Sequence, residues 1–382
     1  MSEQATRPPF VPGLAGVIAA QSRVGFVDGE NGILEYRGIR IEKLAERSTF
    51  EETAYLLLYG KLPKRDELRG FEESLKSNRE VRPELLEMIA AFPRDGHPMA
   101  ALQTAVAALG LYYPRTGATD VNERIVSAHR IIAQIATLLA AIARRRQGLE
   151  PVTPRNDLPH AANFLWMLNS EEPAAILART LDVAMVLHAE HTQNASTFTC
   201  RVVSSTEADP YASVSAALGS LGGPLHGGAN ERVLDMLEEI GDAAKAKNWF
   251  LDALEKKKKI MGLGHRVYHV KDPRAFALQK LAVEVFEELG STELYDIAVE
   301  VEKIAAEKLG PKGIFPNVDF FSGTVYLKMG IERALFTPIF GIARVAGYLG
   351  HYLEQMEDNR IFRPRQEYLG PHDAPYVPLG ER

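Results

Sequence analysis

The chain has 382 residues, of which 46% are hydrophobic and 25% are charged, and its formal net charge at pH 7 is −6. This composition is typical of a soluble globular protein, and the length favours one large domain together with a smaller one. A general nucleic-acid-binding protein needs a broad basic surface, so the acidic balance argues against a nucleic-acid partner. If the ligand is an anion, the basic charge that binds it must be local.

The single cysteine and the apolar segments bear on the compartment. Cys200 has no partner for an intramolecular disulfide, which fits a reducing cytoplasm, and its β-branched neighbours favour an inert, half-buried thiol. The N-terminus lacks a basic start followed by an apolar core, so no signal peptide is predicted. The longest apolar stretch, Ile131 to Ala143, is interrupted by polar residues and is too short to span a bilayer. We expect a cytoplasmic protein without a membrane partner.

In chain order, the elements begin with an arm and a hairpin. Residues 1–12 contain three prolines and predict a disordered or draped arm. Between Arg23 and Gly38, two short apolar runs flank Asp-Gly-Glu-Asn-Gly, a pattern that predicts a β-hairpin.

Helical periodicity follows the hairpin, in segments that Gly, Pro or Asn/Asp bound. It predicts helices at 49–60, 66–77, 83–92, 98–111, 121–147, 161–169, 173–193, 210–221, 229–240, 248–258, 273–289, 292–308, 321–329 and 332–356. No fixed-period repeat is visible, so a solenoid is not expected. The predicted fold class is all-α, with the hairpin as nearly the only strand signal.

Two of these helices carry unusual polar residues. His188 and His191 fall on the apolar side of the segment Ala178 to His191. The segment Arg333 to Gln355 is apolar or small on almost every side, which predicts a buried helix with Arg344 in its middle. No acid lies three or four residues from Arg344, so its partner must come from elsewhere in the fold or from a ligand.

The two histidines could also suggest a metal site. Their spacing, His-x-Glu-His, matches neither His-Glu-x-x-His nor its inverse. We therefore expect no metal ion, and we expect His188 to be satisfied within the core.

Two further histidines stand in glycine-rich turns. His226 lies in "GSLGGPLHGGANERV", just before a helix whose N-terminus would offer free N–H groups and a positive potential. That potential would keep the imidazole neutral. His265 lies in the similar segment "MGLGHRVYHVKDPR". The alternative for each is an exposed histidine in a flexible turn.

Asp319 is a candidate base. It lies in "GIFPNVDFFSGTV", beside two phenylalanines that would exclude water, raise its pKa and strengthen it as a base. Alternatively, Asp319 is only the N-cap of a helix that begins near Phe321.

Three arginines complete the set of candidate residues. Arg274 follows an Asp-Pro turn, Arg344 lies in the buried helix, and Arg363 lies in "RIFRPRQEY". Guanidinium groups bind carboxylates in a bidentate manner, so these residues and neutral histidines suit a small di- or tricarboxylate. With a base such as Asp319, the residues alone indicate carbon–carbon chemistry on a small anionic acid.

A run of four lysines, Lys256 to Lys259, precedes the His265 turn. It is either a solvated helix end or an attractor for a phosphate-rich cosubstrate. Neither a Gly-x-Gly-x-x-Gly after a strand nor a Walker loop occurs in the sequence, so a Rossmann or P-loop nucleotide site is not supported.

Eight segments, taken together and in order, resemble the citrate synthase family across almost the whole chain. They are "FVDGENGILEYRG", "FEETAYLLLYGKLP", "HAEHTQNASTFT", "GPLHGGANE", "GHRVYHVKDPR", "PNVDFFSG", "IARVAGYLGHYLEQ" and "RPRQEYLG". The length resembles the short, two-domain bacterial type.

The resemblance implies an almost all-helical homodimer. Its large domain would comprise residues 1–228 and 329–382, and its small domain residues 229–328. The implied reaction is the condensation of acetyl-CoA with oxaloacetate and water to citrate and CoA, the entry step of the tricarboxylic acid cycle. Acetyl-CoA would be a cosubstrate, and neither a cofactor nor a metal would be needed.

The resemblance also implies roles for matching residues. Asp319 would remove a proton from the acetyl methyl group, His226 would donate to the thioester oxygen, and His265 would polarise the oxaloacetate carbonyl. The further oxaloacetate ligands would be His191, Arg274, Arg344 and, supplied by the partner subunit, Arg363. The CoA contacts would be Leu263, Gly264, Arg266, Lys271, Ile314 and Asn317.

Two positions depart from the family pattern. Leu263 stands where the family often has an aromatic residue, and His269 stands where a lysine or arginine often meets the CoA phosphate. The rival functions are a 2-methylcitrate synthase that uses propionyl-CoA, since one methyl group in an apolar pocket discriminates weakly, and a non-catalytic helical scaffold. A lyase working in the reverse direction is a third alternative, which the lack of an attached nucleotide-dependent module disfavours.

Overall fold

The structure is a computed structural model that describes residues 10–113, 120–227, 229–264 and 267–382, except for the side chains of residues 229 and 230. Within these ranges the chain forms one small sheet and sixteen α-helices, which confirms the predicted all-α class. The helices are α1 (Ile41–Arg47), α2 (Phe50–Tyr59), α3 (Arg65–Ser77), α4 (Pro83–Ala90), α5 (Pro98–Leu109), α6 (Val121–Gln147), α7 (His160–Asn169), α8 (Ala175–His188), α9 (Ala195–Ser204), α10 (Pro210–Leu221), α11 (Ala229–Ile240), α12 (Ala246–Glu255), α13 (Pro273–Leu289), α14 (Glu293–Lys308), α15 (Asp319–Lys328) and α16 (Phe336–Glu357).

The sheet contains the predicted hairpin and one short additional strand. Its strands β1 (Gly25–Asp28), β2 (Ile33–Tyr36) and β3 (Ile39–Arg40) are antiparallel and lie in that order. Gly25 pairs with Tyr36 and Asp28 with Ile33, so the turn of the hairpin spans the predicted Asp-Gly-Glu-Asn-Gly.

One predicted helix is too long, and the helix after it was not predicted. The segment 173–193 was expected to be helical throughout, but α8 ends at His188 and α9 begins six residues after the Ala189 C-cap. The Asn194 side chain accepts the Thr197 N–H and so caps the start of α9. The sequence of α9 is rich in β-branched residues, which disfavour a helix locally. Tertiary packing overrides this local propensity, so the helix was not predicted. The short helix α1 was also missed.

Two long apolar helices form much of the core. α6 is buried around its whole circumference over Ile131–Ala143, and it packs against α16, α5 and α7. Length and composition alone would allow α6 to cross a membrane, but 78% of its apolar window is buried inside the protein, as in the core helix of a globular fold. The bounds of α6 confirm the predicted helix at 121–147, which extends beyond the apolar stretch Ile131 to Ala143 at both ends.

The predicted burial of the second helix, α16, is confirmed. It contacts α2, α6, α8, α9 and α10. Arg344 in its middle is only 1% exposed. Cys200 on α9 is completely buried rather than half-buried, and burial raises the pKa of its thiol to about 12, which agrees with an inert role.

Candidate active site

Arg344 enters the site from α16 with few internal partners. Its Nε donates to the His188 carbonyl oxygen at 2.6 Å, and its guanidinium carbon lies 4.6 Å from the Phe340 ring centroid. Among the described residues, Arg344 forms no ion pair with a carboxylate. Burial lowers the pKa of Arg344 below its usual value, because the charged form is poorly solvated there. An anionic ligand would supply the missing countercharge.

Arg274 lies in the first turn of α13 and is held differently. Its Nε and Nη2 donate to the two carboxylate oxygens of Asp272 at 3.0 and 2.7 Å, a bidentate pair in which both residues are buried. Asp272 also caps α13 by accepting the Arg274 N–H. This pair fixes the orientation of the guanidinium and leaves Nη1 outside it. Attraction to Asp272 raises the pKa of Arg274, although burial opposes this.

His226 follows α10, and its partner is Ser196 in the first turn of α9. The Ser196 N–H lies 3.3 Å from His226 Nε2, and the Ser196 Oγ lies 2.7 Å from the same nitrogen. A backbone N–H can only donate, so Nε2 is the acceptor and the proton of the neutral ring lies on Nδ1. Burial and the charge of Arg344 lower the pKa of His226 to about 4, which keeps the ring neutral at pH 7.

A buried tyrosine extends this arrangement. The Tyr348 hydroxyl on α16 donates to Ser196 Oγ at 2.7 Å. The single proton of Ser196 Oγ has two acceptors within reach, His226 Nε2 at 2.7 Å and the Asn194 Oδ1 at 2.8 Å, and the unprotonated Nε2 requires it because it can only accept. Tyr348 therefore completes a chain of hydrogen bonds that ends on His226.

Asp319 is the first residue of α15 and not its N-cap. The position before it, Val318, is the N-cap, and the Asp319 N–H donates to Asn317 Oδ1 at 3.0 Å. The alternative N-cap role is therefore wrong, and the helix begins two residues earlier than predicted. Burial raises the pKa of the Asp319 carboxyl to about 6, although Arg274 opposes the shift and Asp272 adds to it. A carboxylate with such a pKa is a competent general base near neutral pH.

The electrostatic couplings join these residues into one site. The charge of Arg344 lowers the pKa of His226. The charge of Arg274 opposes the rise that burial causes in the pKa of Asp319. Arg274 and Arg344 also each lower the pKa of His188, at the end of α8. The site thus combines a neutral N–H donor, a carboxyl base and two buried cations.

His188 and His191 separate into different roles. His188 Nδ1 lies 2.7 Å from the Ala184 carbonyl oxygen in its own helix, and burial lowers its pKa to about 3. This confirms the prediction that His188 is satisfied in the core. His191 Nε2 lies 3.1 Å from the hydroxyl of Tyr268, whose ring meets the imidazole edge-on.

Two segments that the family resemblance associates with CoA, 263–264 and 314–317, lie side by side. Leu263 and Pro316 form an isolated antiparallel bridge. The Gly264 N–H donates to the Phe315 carbonyl oxygen at 2.8 Å. The resulting two-stranded edge leads directly into Asp319 and α15.

Asn317 links this edge to the candidate base. Its Nδ2 donates to the Gly264 carbonyl oxygen at 2.9 Å, while its Oδ1 accepts the Asp319 N–H. A Cβ on Gly264 would lie 3.8 Å from Ile314 Cγ2, so Ile314 belongs to the same edge.

The two basic candidates near this edge have intramolecular partners. Lys271 Nζ lies 2.7 Å from Gln279 Oε1 and 3.2 Å from Glu302 Oε1. His269 Nδ1 lies 2.7 Å from Glu30 Oε1, in the turn of the N-terminal hairpin.

Three predicted site residues are not brought to the site by the described contacts. His265 and Arg266 lie outside the described residues. Arg363 is exposed, in the extended tail after α16, and its Nη1 donates to the Pro364 carbonyl oxygen at 2.8 Å.

Sequence reasoning missed three residues that contact the site. Ser196 follows the cap of an unpredicted helix, and its signal was the Asn-Ala-Ser after His191. Tyr348 lies one helical turn after Arg344, so the period of the buried helix could have indicated it. Tyr268 lies between two residues that drew attention, and its role depends entirely on the tertiary fold.

Comparisons with known proteins identify the family of the chain. The profile of a family described as "Citrate synthase, C-terminal domain" matches residues 13–365. A citrate synthase from Synechocystis sp. is 53% identical over 98% of this chain and 94% of its own length. The crystal structure of citrate synthase from Pyrobaculum aerophilum is 42% identical, with a TM-score of 0.90 over 98% of this chain and 96% of that chain.

A further solved structure was determined with ligands. The citrate synthase of the thermophilic archaeon Thermoplasma acidophilum, in a ternary complex with carboxymethyl coenzyme A and oxaloacetate, is 32% identical. It has a TM-score of 0.88 and covers 97% of this chain and 99% of that chain. Given the full-length profile match, the high identities and the shared all-α fold, the chain belongs to the citrate synthase family of acyltransferases.

Proposed function

We propose that this protein condenses acetyl-CoA with oxaloacetate and water to give citrate and CoA. The observation that carries the proposal is the set of couplings that link a neutral, Nδ1-protonated His226 to the buried Arg344, and Asp319, whose pKa is raised to about 6, to the buried Arg274. The family membership supports the same reaction.

The first step would generate the enol of acetyl-CoA. Asp319 takes a proton from the acetyl methyl group while the His226 Nδ1–H donates to the thioester oxygen. Because a carboxylate alone is too weak a base for a carbon-bound proton, the donor must stabilise the oxyanion as it forms. The hydrogen bonds from Ser196 hold the His226 ring in the tautomer that this step requires.

The second step would join the two substrates. Arg274, Arg344 and His191 hold the carboxylates and the keto acid skeleton of oxaloacetate, and His265 polarises its ketone. The enol carbon attacks the ketone carbon, the ketone oxygen takes up a proton, and citryl-CoA forms. Water then cleaves the thioester to release citrate and CoA. The adjacent segments 263–264 and 314–317, with Leu263, Gly264, Ile314 and Asn317, would hold CoA, assisted by Arg266 and Lys271.

The working unit would be a cytoplasmic homodimer without a metal or a resident cofactor. Arg363 would act in the site of the other subunit, with the large domain comprising residues 1–228 and 329–382 and the small domain residues 229–328. The exposed tail supports this arrangement, because Leu369, Tyr376 and Leu379 are each at least 80% exposed and would be covered by a partner.

Release of free thiol, measured with oxaloacetate and either acetyl-CoA or propionyl-CoA, tests the function. We expect much faster turnover with acetyl-CoA. A clear preference for propionyl-CoA would instead assign the 2-methylcitrate reaction. No thiol release with either thioester, from a folded protein, would favour the non-catalytic scaffold.

A further inference from the structure

The turn of the N-terminal hairpin (Asp28–Gly32) lies directly against the segment Val267–Lys271. The His269 N–H donates to the Gly29 carbonyl oxygen at 2.9 Å. A Cβ on Gly29 would overlap the carbonyl oxygen of Val267. The turn therefore fits against the segment only because this position has no side chain.

A second glycine makes the same kind of contact. A Cβ on Gly32 would lie 2.8 Å from Val270 Cγ2, closer than carbon atoms approach without a shift of one of them. Gly29 and Gly32 thus meet the segment at two different residues, one through its backbone and one through a side chain. Two close approaches and a backbone hydrogen bond define the position of the segment relative to the hairpin.

Hydrogen bonds within the hairpin turn define its shape. Asp28 Oδ1 accepts the N–H groups of Glu30 and Asn31 at 3.0 and 3.1 Å, and Asp28 Oδ2 accepts Asn31 Nδ2 at 2.7 Å. Three hydrogen bonds to one carboxylate, together with the positive φ of Gly32 (62°), stabilise this conformation of the turn.

The segment that the turn contacts carries residues of the site on its other side. Tyr268 is 3% exposed, and its hydroxyl meets His191 Nε2 at 3.1 Å, whereas Val270 and His269 face the hairpin. The segment then leads through Asp272, the cap of α13, to Arg274. The segment therefore contacts one of the proposed oxaloacetate ligands and leads into a second.

We propose that the hairpin turn is a template that positions the oxaloacetate ligands, with Gly29 as its main positioning residue. The inference rests on the proposed function, since it assigns a task within the same site. Neither glycine touches the substrate: each acts through the segment Val267–Lys271, on His191 through Tyr268 and on Arg274 through the start of α13.

The side chains of His269 and Glu30 contribute little to the position of the segment Val267–Lys271. Their side chains are 65% and 73% exposed, and exposed ion pairs contribute little because water screens them. The backbone hydrogen bond and the two close approaches carry the positioning. His269 therefore acts through its main-chain N–H and not through its side chain, which contacts Glu30.

Gly29→Ala tests the proposal, with Gly70→Ala as the matched control. Gly70 lies on α3, where an added Cβ meets nothing within 4 Å. We expect Gly29→Ala to raise both the KM and the calorimetric Kd for oxaloacetate by about 10- to 100-fold, as a misplacement of the order of an ångström does. The KM for acetyl-CoA should change far less, and Gly70→Ala should match the wild type throughout.

A rescue experiment covers the case in which Gly29→Ala fails to fold. Gly32→Ala should weaken oxaloacetate binding, and adding Val270→Ala should restore part of it, because the Val270 side chain is the group that the new Cβ meets. The positive φ of Gly32 leaves a strain that the second substitution does not relieve. If the double variant binds no better than Gly32→Ala, the positioning role is refuted.

Two further outcomes separate this inference from the function on which it rests. If the wild-type protein binds no oxaloacetate, the proposed function fails. If the wild type binds it and a folded Gly29→Ala variant binds it equally well, only the inference fails. Glu30→Gln and His269→Ala should change the Kd by about twofold at most; effects larger than that of Gly29→Ala would also overturn it.

Discussion

At the scale of single residues, the environment of His226 decides what it can do. The Ser196 N–H makes Nε2 an acceptor, and burial together with Arg344 keeps the ring neutral. A protonated histidine would be a stronger acid. Its charge would, however, be desolvated and repelled by the buried Arg344 guanidinium, and both effects disfavour protonation. The arrangement therefore favours a neutral donor on Nδ1.

Tyr348→Phe is expected to lower kcat by about 2- to 10-fold, because one buried hydrogen bond to Ser196 is lost and its net worth is about 1 kcal/mol. The KM for oxaloacetate should change little. Tyr352→Phe is the matched control: it lies one turn further along α16, and its hydroxyl donates to the Ala208 carbonyl oxygen at 3.4 Å. Steady-state kinetics of both variants would check this, and equal effects would remove Tyr348 from the His226 chain.

The raised pKa of Asp319 predicts an acidic limb in the pH profile. A base must be deprotonated to act, so kcat/KM for acetyl-CoA should fall as the pH drops through about 6. His226 stays neutral until about pH 4 and does not limit this range. Asp319→Asn should fold, bind oxaloacetate and lose about 10²- to 10⁴-fold in kcat. A limb that persists in the residual activity of this variant would belong to another group.

At the scale of elements, α9 was the least predictable helix close to the site. Its sequence is rich in β-branched residues, and the preceding histidine stripe predicts that the helix before it continues. What starts the helix is the Asn194 cap, and what stabilises it is packing against α10 and α16. A helix whose stability comes mainly from packing leaves a weak local pattern.

Asn194→Ala is expected to cost about 1 kcal/mol of stability by removing an N-cap. It should also lower kcat, because Asn194 holds the first turn of α9, which carries Ser196, the partner of His226. Thr292→Ala removes the equivalent cap from α14, where Thr292 accepts the Tyr295 N–H. Thermal unfolding should show similar losses in both variants, and kinetics should show a loss only in Asn194→Ala. A normal kcat in Asn194→Ala would contradict the link to His226.

At the scale of the whole molecule, the proposed dimer explains the exposed tail. Phe362 packs against Phe198 on α9, and its N–H donates to Ser205 Oγ at 3.1 Å, so the start of the tail is anchored. Beyond that point large apolar side chains are exposed. The tail is therefore anchored where it begins and exposes apolar side chains further on. Contact with a second subunit would bury these side chains.

Mixed dimers test whether Arg363 acts across the interface. Arg363→Ala and Asp319→Asn should each be nearly inactive alone. Unfolding and refolding the two variants together produces mixed dimers, each with one site that has an intact Asp319 and an intact Arg363 from the other chain. Thiol release should then recover toward one quarter of the wild-type rate, since half the dimers are mixed and half their sites are complete. No recovery would place Arg363 in its own subunit's site.

The amino-acid sequence by itself determined the all-α class, the hairpin, the burial of α16 and the identity of the candidate base and histidines. These features follow from local signals: helical period, glycine turns, and a charged residue amid apolar ones. Only the tertiary structure decided that Arg344 meets the His188 carbonyl, that Tyr348 reaches Ser196, and that the hairpin turn meets the segment before Arg274. Each of these contacts joins residues more than 150 apart in the chain, and no local pattern records which distant surfaces pack together.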